Sequence, residues 1–232
     1  MGKRIIQQAR GKGSLTYKVR KKAFKYKIKY PMHEGNAKIV KIFHSAAHSA
    51  PLLKLKISNE IFYNVAFDGA LEGNEISIEK DNFEDGNIVT LKKIPTGTKV
   101  FNIERNPGDG GKMIRTAGSN AVIFKKYEHN KVGILMPNKK EVKLDGHCRA
   151  SIGVIAGDGR KNKPFVQAGK KFYKMRARGK LWPRVSAVAV NAIDHPFGSG
   201  RGKRIKSKIA KRNAPPGRKV GHLRPRRTGK RN

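Results

Sequence analysis

Acidic residues are scarce in this sequence, and cysteine is scarcer still. Only 16 Asp and Glu stand against 53 Lys and Arg in 232 residues, a formal net charge of +37. A free chain this cationic repels itself, so a polyanion is the natural counterpart, and nucleic acid fits better than a small acidic substrate. The single cysteine, Cys148, excludes an internal disulfide framework and a cysteine-based zinc site. No apolar run approaches the ~20 residues of a membrane span. The opening Met-Gly-Lys-Arg-Ile-Ile has charge but no apolar stretch leading to a small-residue cleavage site, so no secretory signal is expected. The basic stretches are too rich in Gly and Pro for an amphipathic membrane-surface helix. No membrane partner is expected, and the chain reads as soluble and intracellular. Apolar residues are also few: 37% of the chain, against roughly 45–50% in an ordinary domain. Part of the chain should fold, and part cannot bury enough surface to fold alone.

The charge is not spread evenly. Residues 1–34 carry 11 basic residues and one acid, residues 35–100 carry 8 of each, and residues 101–160 carry 11 against 6. Residues 161–232 carry 23 basic residues and a single acid, Asp194. The two ends hold the charge, and the middle has the balance of a folded protein.

That middle predicts β-structure. Ala37–Phe43, Pro51–Ile57, Ile61–Phe67 and Ile88–Ile94 are short runs rich in branched and aromatic residues, punctuated by Asp68-Gly69, Glu72-Gly73-Asn74 and Asp85-Gly86. Lys99–Ile103, Ala121–Tyr127, Lys131–Met136, Glu141–Leu144 and Ser151–Ala156 form a second group. Such strands at such spacing predict two small barrels in tandem, 35–86 and 87–160, divided around Glu84–Asn87. In the basic arm 1–34, Phe24, Tyr26, Ile28 and Tyr30 alternate with Lys25, Lys27 and Lys29. An extended chain there puts rings on one face and ammonium groups on the other, either solvated or on RNA phosphates. In 161–232, Pro164–Arg178 predicts a helix with Phe165, Ala168, Phe172 and Met175 near one face, ended by Gly179. Beyond Pro196 the composition predicts an extended segment without a compact core.

Several local patterns imitate active sites and fail on chemistry. Asn106–Met113 (NPGDGGKM) has Asn and Met where a phosphate loop needs Gly and Ser or Thr. His44 and His48 have helical metal-ligand spacing but lack the accompanying glutamate. Gly153, Gly157 and Gly159 do not match a dinucleotide fingerprint. Asp194, His195 and Ser199 are too close in sequence for the Asp to orient its own neighbour onto the serine. The carboxylates are sparsest where the charge is greatest, so acid–base catalysis is hard to build there. The sequence predicts no enzyme, no cofactor and no metal site.

Val185–Gly202 (VSAVAVNAIDHPFGSGRG) and Arg105–Asn120 (RNPGDGGKMIRTAGSN) resemble the universal large-subunit ribosomal protein two family, as do Gly35–Leu55 and Cys148–Gly157. The resemblance runs from Gly2 to the last arginines. Phe197, following His195-Pro196, resembles the archaeal and eukaryotic branch, whereas Ser199 and Ser186-Ala187 depart from the glycines more usual in the family. The resemblance implies a mainly β fold, an OB-like barrel followed by an SH3-like barrel, with basic N- and C-terminal extensions that enter ribosomal RNA. It implies a structural constituent of the large ribosomal subunit and a primary rRNA-binding protein. It also implies contact with small-subunit rRNA through a subunit bridge, with the tRNA region and with neighbouring ribosomal proteins.

On that basis the expected RNA-binding residues fall into three groups. The arm supplies Arg4, Lys12, Lys18, Arg20, Lys25, Lys27 and Lys29, and the glycine-rich loop supplies Lys112 and Arg115. The C-terminal region supplies Lys171, Arg176, Arg178, Trp182, Arg184, Asn191, Asp194, His195, Gly198, Gly200, Arg201, Lys203 and Arg204. Trp182 can be a core anchor or a base-stacking platform. Asp194 is expected to cap backbone N–H groups or to pair with Arg184 or Arg201. The resemblance directs Asn191–Gly202 toward the peptidyl-transferase centre, where peptidyl transfer belongs to RNA. His195 is therefore expected to position RNA rather than to move protons.

Overall fold

The computed structural model describes residues 2–160, 162–198 and 208–225. Ser199, Gly200, Arg201, Lys203 and Arg204 lie outside the described residues. The chain divides into two compact units, residues 21–167 and residues 1–20 with 168–232. The basic arm 1–34 therefore contributes to both.

The protein is mainly β. In unit 21–167 the strands are β1 (Gly35–Phe43), β2 (Leu52–Ile57), β3 (Glu60–Val65), β4 (Glu75–Ile78) and β5 (Ile88–Thr90), followed by β6 (Lys99–Phe101), β7 (Ala121–Lys126), β8 (Lys131–Leu135), β9 (Glu141–Asp145) and β10 (Arg149–Ile152). They form one sheet in the order β3-β2-β1-β4-β5-β10-β6-β7-β8-β9. β4 and β5 pair parallel; the other neighbours pair antiparallel. The sheet encloses two hydrophobic cores. Ala37, Ile39, Leu52, Leu55, Phe62, Ile76, Ile78 and Ile88 fill the first. Val89, Leu91, Ile94, Val100, Ile123, Ile134, Cys148 and Ile152 fill the second. The strand period of two explains how one sheet serves both. In β5, Ile88 faces one core and Val89 the other; in β6, Phe101 and Val100 divide the same way. The turn before β5, where the sequence suggests a division, leads straight into a strand that both cores share.

Four elements differ from expectation; one is Ser151–Ala156, where β10 begins earlier, at Arg149, and ends at Ile152. β4 has only two apolar residues, Ile76 and Ile78, directly after a Gly-Asn turn, too little for a sequence signal. It stands because β1 and β5 flank it. The run Ile88–Ile94 is strand only to Thr90, since its apolar spacing at 91 and 94 suits the turn that drops Leu91 and Ile94 into the second core. The arm Phe24–Tyr30 is not a strand. Phe24 closes a 3-10 turn, Lys21–Phe24, and is exposed, while Ile28 makes one isolated parallel bridge to Tyr63. The remaining alternation survives: Ile28 and Tyr30 are buried, and Lys25, Lys27 and Lys29 are exposed.

The other unit contains α1 (Ile6–Gly11), α2 (Ala168–Ala177), β11 (Ile209–Ala210) and β12 (His222–Leu223). α2 begins after Pro164 and Phe165 instead of including them, and none of its residues is buried. Beyond Pro196 the described chain is not extended throughout. β11 and β12 pair parallel, folding residues 208–225 back on themselves. Among the described residues of this unit only Ile5, His195, Gly198 and Ala210 are buried. These described residues form no apolar core.

Candidate nucleic-acid interface

Residues 185–198 turn tightly because their backbone is wired to itself. The Asn191 carbonyl accepts from the amides of Asp194 at 3.0 Å and His195 at 3.3 Å, and the His195 carbonyl accepts from Gly198 N at 2.9 Å. Gly198 is required here, because a side-chain carbon would collide with the Asn191 carbonyl. The amide of Phe197 donates to His195 Nδ1 at 3.0 Å. Nδ1 is thus an acceptor, which leaves the ring proton on Nε2. The ring is buried and meets Phe197 edge-on, with centroids 5.0 Å apart.

The N-terminal arm completes this region. Lys3 N donates to the Ile193 carbonyl at 2.9 Å. Gln8 Oε1 accepts from Ile5 N at 3.2 Å, the return half of a capping box at the start of α1, where Ile5 itself offers no side-chain acceptor. The result is a cavity of about 870 Å³ whose lining includes Lys3, Arg4, Arg10, Arg184, Asp194 and His195. Arg4, Arg184, Asp194 and His195, far apart in sequence, therefore share one cleft. Among the described residues no ion pair joins Asp194 to Arg184.

The other expected residues are distributed around this unit. Lys12, Lys18, Arg20 and Arg176 are exposed, and Arg178 is half-buried. Lys171 Nζ lies 5.2 Å from the centre of the Trp182 ring. Trp182 is half-buried and belongs to neither hydrophobic core.

A second basic region lies in unit 21–167. Lys25, Lys27 and Lys29 project from the arm, whose Tyr26 packs against Phe43 and Tyr63 at centroid distances of 4.6 and 5.0 Å. Arg115 is less available: it is half-buried, its Nη2 donates to the Ile28 carbonyl at 3.4 Å, and burial pushes its pKa below the ordinary arginine value. Lys112 is exposed at the end of the glycine-rich loop.

That loop is already filled with the protein's own anions. Asp109 accepts from the amides of Arg105, Asn106 and Gly111 at 3.0–3.2 Å. Glu104, fully buried, accepts from Gly108 N at 3.2 Å, Gly110 N at 2.9 Å and Arg149 N at 2.9 Å. Its Oε1 also pairs with Arg149 Nη2 at 3.1 Å. These carboxylates occupy the amides that a phosphate loop turns toward its ligand. Arg149 Nη1 donates to the Pro31 carbonyl at 2.7 Å, and its guanidinium lies 5.5 Å from the Tyr30 ring centre.

Tyr30 continues the buried polar seam. Its hydroxyl donates to the Asn102 carbonyl at 2.7 Å and lies 2.9 Å from Ser151 Oγ. Asn64 Nδ2 donates to Ser151 Oγ at 3.0 Å, and Asn102 Nδ2 to Asn64 Oδ1 at 2.9 Å. Arm and both cores are joined by these side chains. Sequence reasoning missed Glu104 and Arg149; their only signal was an acid at the end of an apolar run, directly before a basic, glycine-rich loop. Among the described residues no group of three or more His, Cys, Asp or Glu is placed to hold a metal ion, and no helix is long and apolar enough to cross a membrane. His48 instead meets Ser45 Oγ through Nδ1 at 2.8 Å.

Comparison with known proteins bears on the whole chain. The family "Ribosomal Proteins L2, C-terminal domain" matches residues 84–217. The large ribosomal subunit protein uL2 of Archaeoglobus fulgidus is 46% identical, covering 99% of both chains. That of Sulfolobus acidocaldarius is 42% identical over 100% of this chain and 99% of its own. The Methanothermobacter thermautotrophicus protein is 41% identical over 100% of both. With the match extending through both basic ends and the glycine-rich loop, the chain belongs to the ribosomal protein L2 family, on its archaeal-like branch.

Proposed function

We propose that this chain is a structural component of the large ribosomal subunit, cytoplasmic with the ribosome, that binds large-subunit rRNA. One observation carries the reading. The unit built from residues 1–20 and 168–232 concentrates basic side chains around a described framework with only four buried residues. Such a unit lacks the apolar burial that fixes an ordinary domain, so a polyanion that both neutralises and orders it supplies what is missing. Lys and Arg neutralise phosphates, and Arg adds a planar fork for phosphates and stacking. The exposed aromatics of α2, Phe172 and Tyr173, suit unpaired bases better than a protein interior.

On this reading residues 35–86 form an OB-like RNA-binding barrel and 87–160 an SH3-like barrel, with 1–34 and 161–232 as rRNA-binding extensions. The Arg4–Arg184–His195 cleft contacts RNA near the peptidyl-transferase region and helps organise it, while RNA performs the chemistry. His195 acts by position: Nδ1 is committed to Phe197, and the Nε2 proton is a donor. Subunit association through small-subunit rRNA, support of tRNA binding and contact with neighbouring ribosomal proteins belong to the same proposal. A basic protein directed at duplex DNA is the competing class.

The test is binding of the full chain to a large-subunit rRNA transcript and to duplex DNA of equal length over a range of salt. We expect preference for the rRNA and a steep fall of log affinity with log salt. Equal or tighter binding to the duplex would favour the competing class.

A further inference from the structure

We propose that Glu104 and Arg149 are positioning residues that assemble Lys29, Arg105 and Lys112 into one cationic surface for an RNA sugar–phosphate backbone. The inference rests on the RNA-binding reading above. Its starting point is a complete account of the loop's amides. Arg105, Asn106 and Gly111 donate to Asp109; Gly108 and Gly110 donate to Glu104; Asp109 N donates to the Asn106 carbonyl. Pro107 has no amide hydrogen, and Lys112 N bonds the Ile103 carbonyl at 2.9 Å. Nothing in the backbone is left for a phosphate, so attraction for an anion resides in the side chains.

Their placement depends on the buried pair. Glu104 fixes the loop from beneath through Gly108 and Gly110, and it holds Arg149. Arg149 reaches the arm at Pro31, two residues beyond Lys29. Arm and loop then touch: a side-chain carbon at Gly110, where φ is +79°, would lie 2.6 Å from Lys29 Cγ. One buried acid therefore sets where three cations of two separate segments stand. An acid beneath a phosphate-binding surface opposes binding by charge alone, so its contribution must come through geometry.

This gives a test whose sign separates positioning from simple electrostatics. Glu104→Gln makes the protein one charge more positive and leaves Arg149 without its carboxylate. The probe is a large-subunit rRNA transcript, titrated with the full chain at several salt concentrations. We expect Glu104→Gln to bind at least about tenfold more weakly. The log affinity–log salt slope should shrink by about 2, as for three phosphate contacts at ~0.7 each. The combined Lys29→Met, Arg105→Met, Lys112→Met variant should lose the same slope. Binding by Glu104→Gln as tight as wild type or tighter, with an unchanged slope, would overturn the proposal. If that variant does not fold by circular dichroism, Gly110→Ala decides, because a side chain at this positive φ strains the loop and presses on Lys29 while both carboxylates remain. Weaker binding supports the proposal, and unchanged binding overturns it. Failure of the wild-type chain to bind the transcript is a separate result, and it would remove the RNA-binding reading itself.

Discussion

Tyr30→Phe removes one oxygen from the middle of the seam between the two cores. Tyr30 is 1% exposed, so water cannot replace the hydroxyl. The Asn102 carbonyl loses its 2.7 Å donor and Ser151 Oγ loses its 2.9 Å partner, while Asn64 still donates to the serine. The ring and its packing stay. An unsatisfied buried polar group costs about 1–3 kcal/mol, and a loss near the middle of that range lowers Tm by roughly 4–8 °C in a body of this size. Burial also pushes the Tyr30 pKa above the ordinary tyrosine value. The folded state therefore keeps the phenol proton at a pH where the unfolded chain releases it. The associated stability is complete below pH ~10 and falls as pH rises, by about 1.4 kcal/mol per pH unit. Phe cannot titrate, so the gap between wild type and Tyr30→Phe should narrow from pH 8 to pH 11. Calorimetry of the full chain at both pH values measures it. A gap that stays constant, or a variant as stable as wild type at pH 8, would refute the reasoning.

Cys148 lies in the second core with its thiol pushed up to about 12, chiefly by burial, so iodoacetamide at pH 8 should label only unfolded protein; stoichiometric labelling with the calorimetric transition intact would contradict that. Burial also raises the Glu79 pKa, and among the described residues its Oε1 has no hydrogen-bond partner. Wild type should gain stability as pH falls through that raised value, and Glu79→Gln should flatten the gain without destabilising the protein at pH 7, which urea titration at pH 4 to 7 can check. At His195 the structure separates two replacements. Asn places its Oδ1 near Nδ1 and can keep the Phe197 bond, whereas Gln reaches toward Nε2. In assembled particles His195→Asn, which keeps the turn, and His195→Gln, which keeps the donor, should both retain more tRNA binding than His195→Ala, and the pH profile of single-turnover peptide transfer should keep its shape in all three. Loss of one titration from that profile, with assembly intact, would restore a catalytic role.

The strands read from Ala37–Phe43 and Lys131–Met136 were legible because their branched residues, Ile39, Val132 and Ile134 among them, are ones that the two cores bury. β4 was not, since two core isoleucines in four residues are too short a signal without the flanking β1 and β5. Phe24 misled because an aromatic in an alternating pattern says nothing about whether a partner strand exists. The cationic residues of the proposed interface stand out in the composition. Their grouping was not legible: Arg4 lines one cleft with His195, and Lys29 lies against Gly110, through chain reversals that no local pattern encodes. Glu104 escaped for a related reason, because its worth lies in amides donated from residues 108, 110 and 149.

The central claim is that this basic chain is a structural part of the large ribosomal subunit, held there by RNA. Sucrose-gradient sedimentation of ribosomes from cells carrying an affinity-tagged copy tests it most directly. The account predicts that the tagged chain travels stoichiometrically with the large subunit at moderate salt and leaves it only at high salt or after ribonuclease treatment. A tagged chain that stays at the top of the gradient, or that follows chromosomal DNA instead, would contradict it.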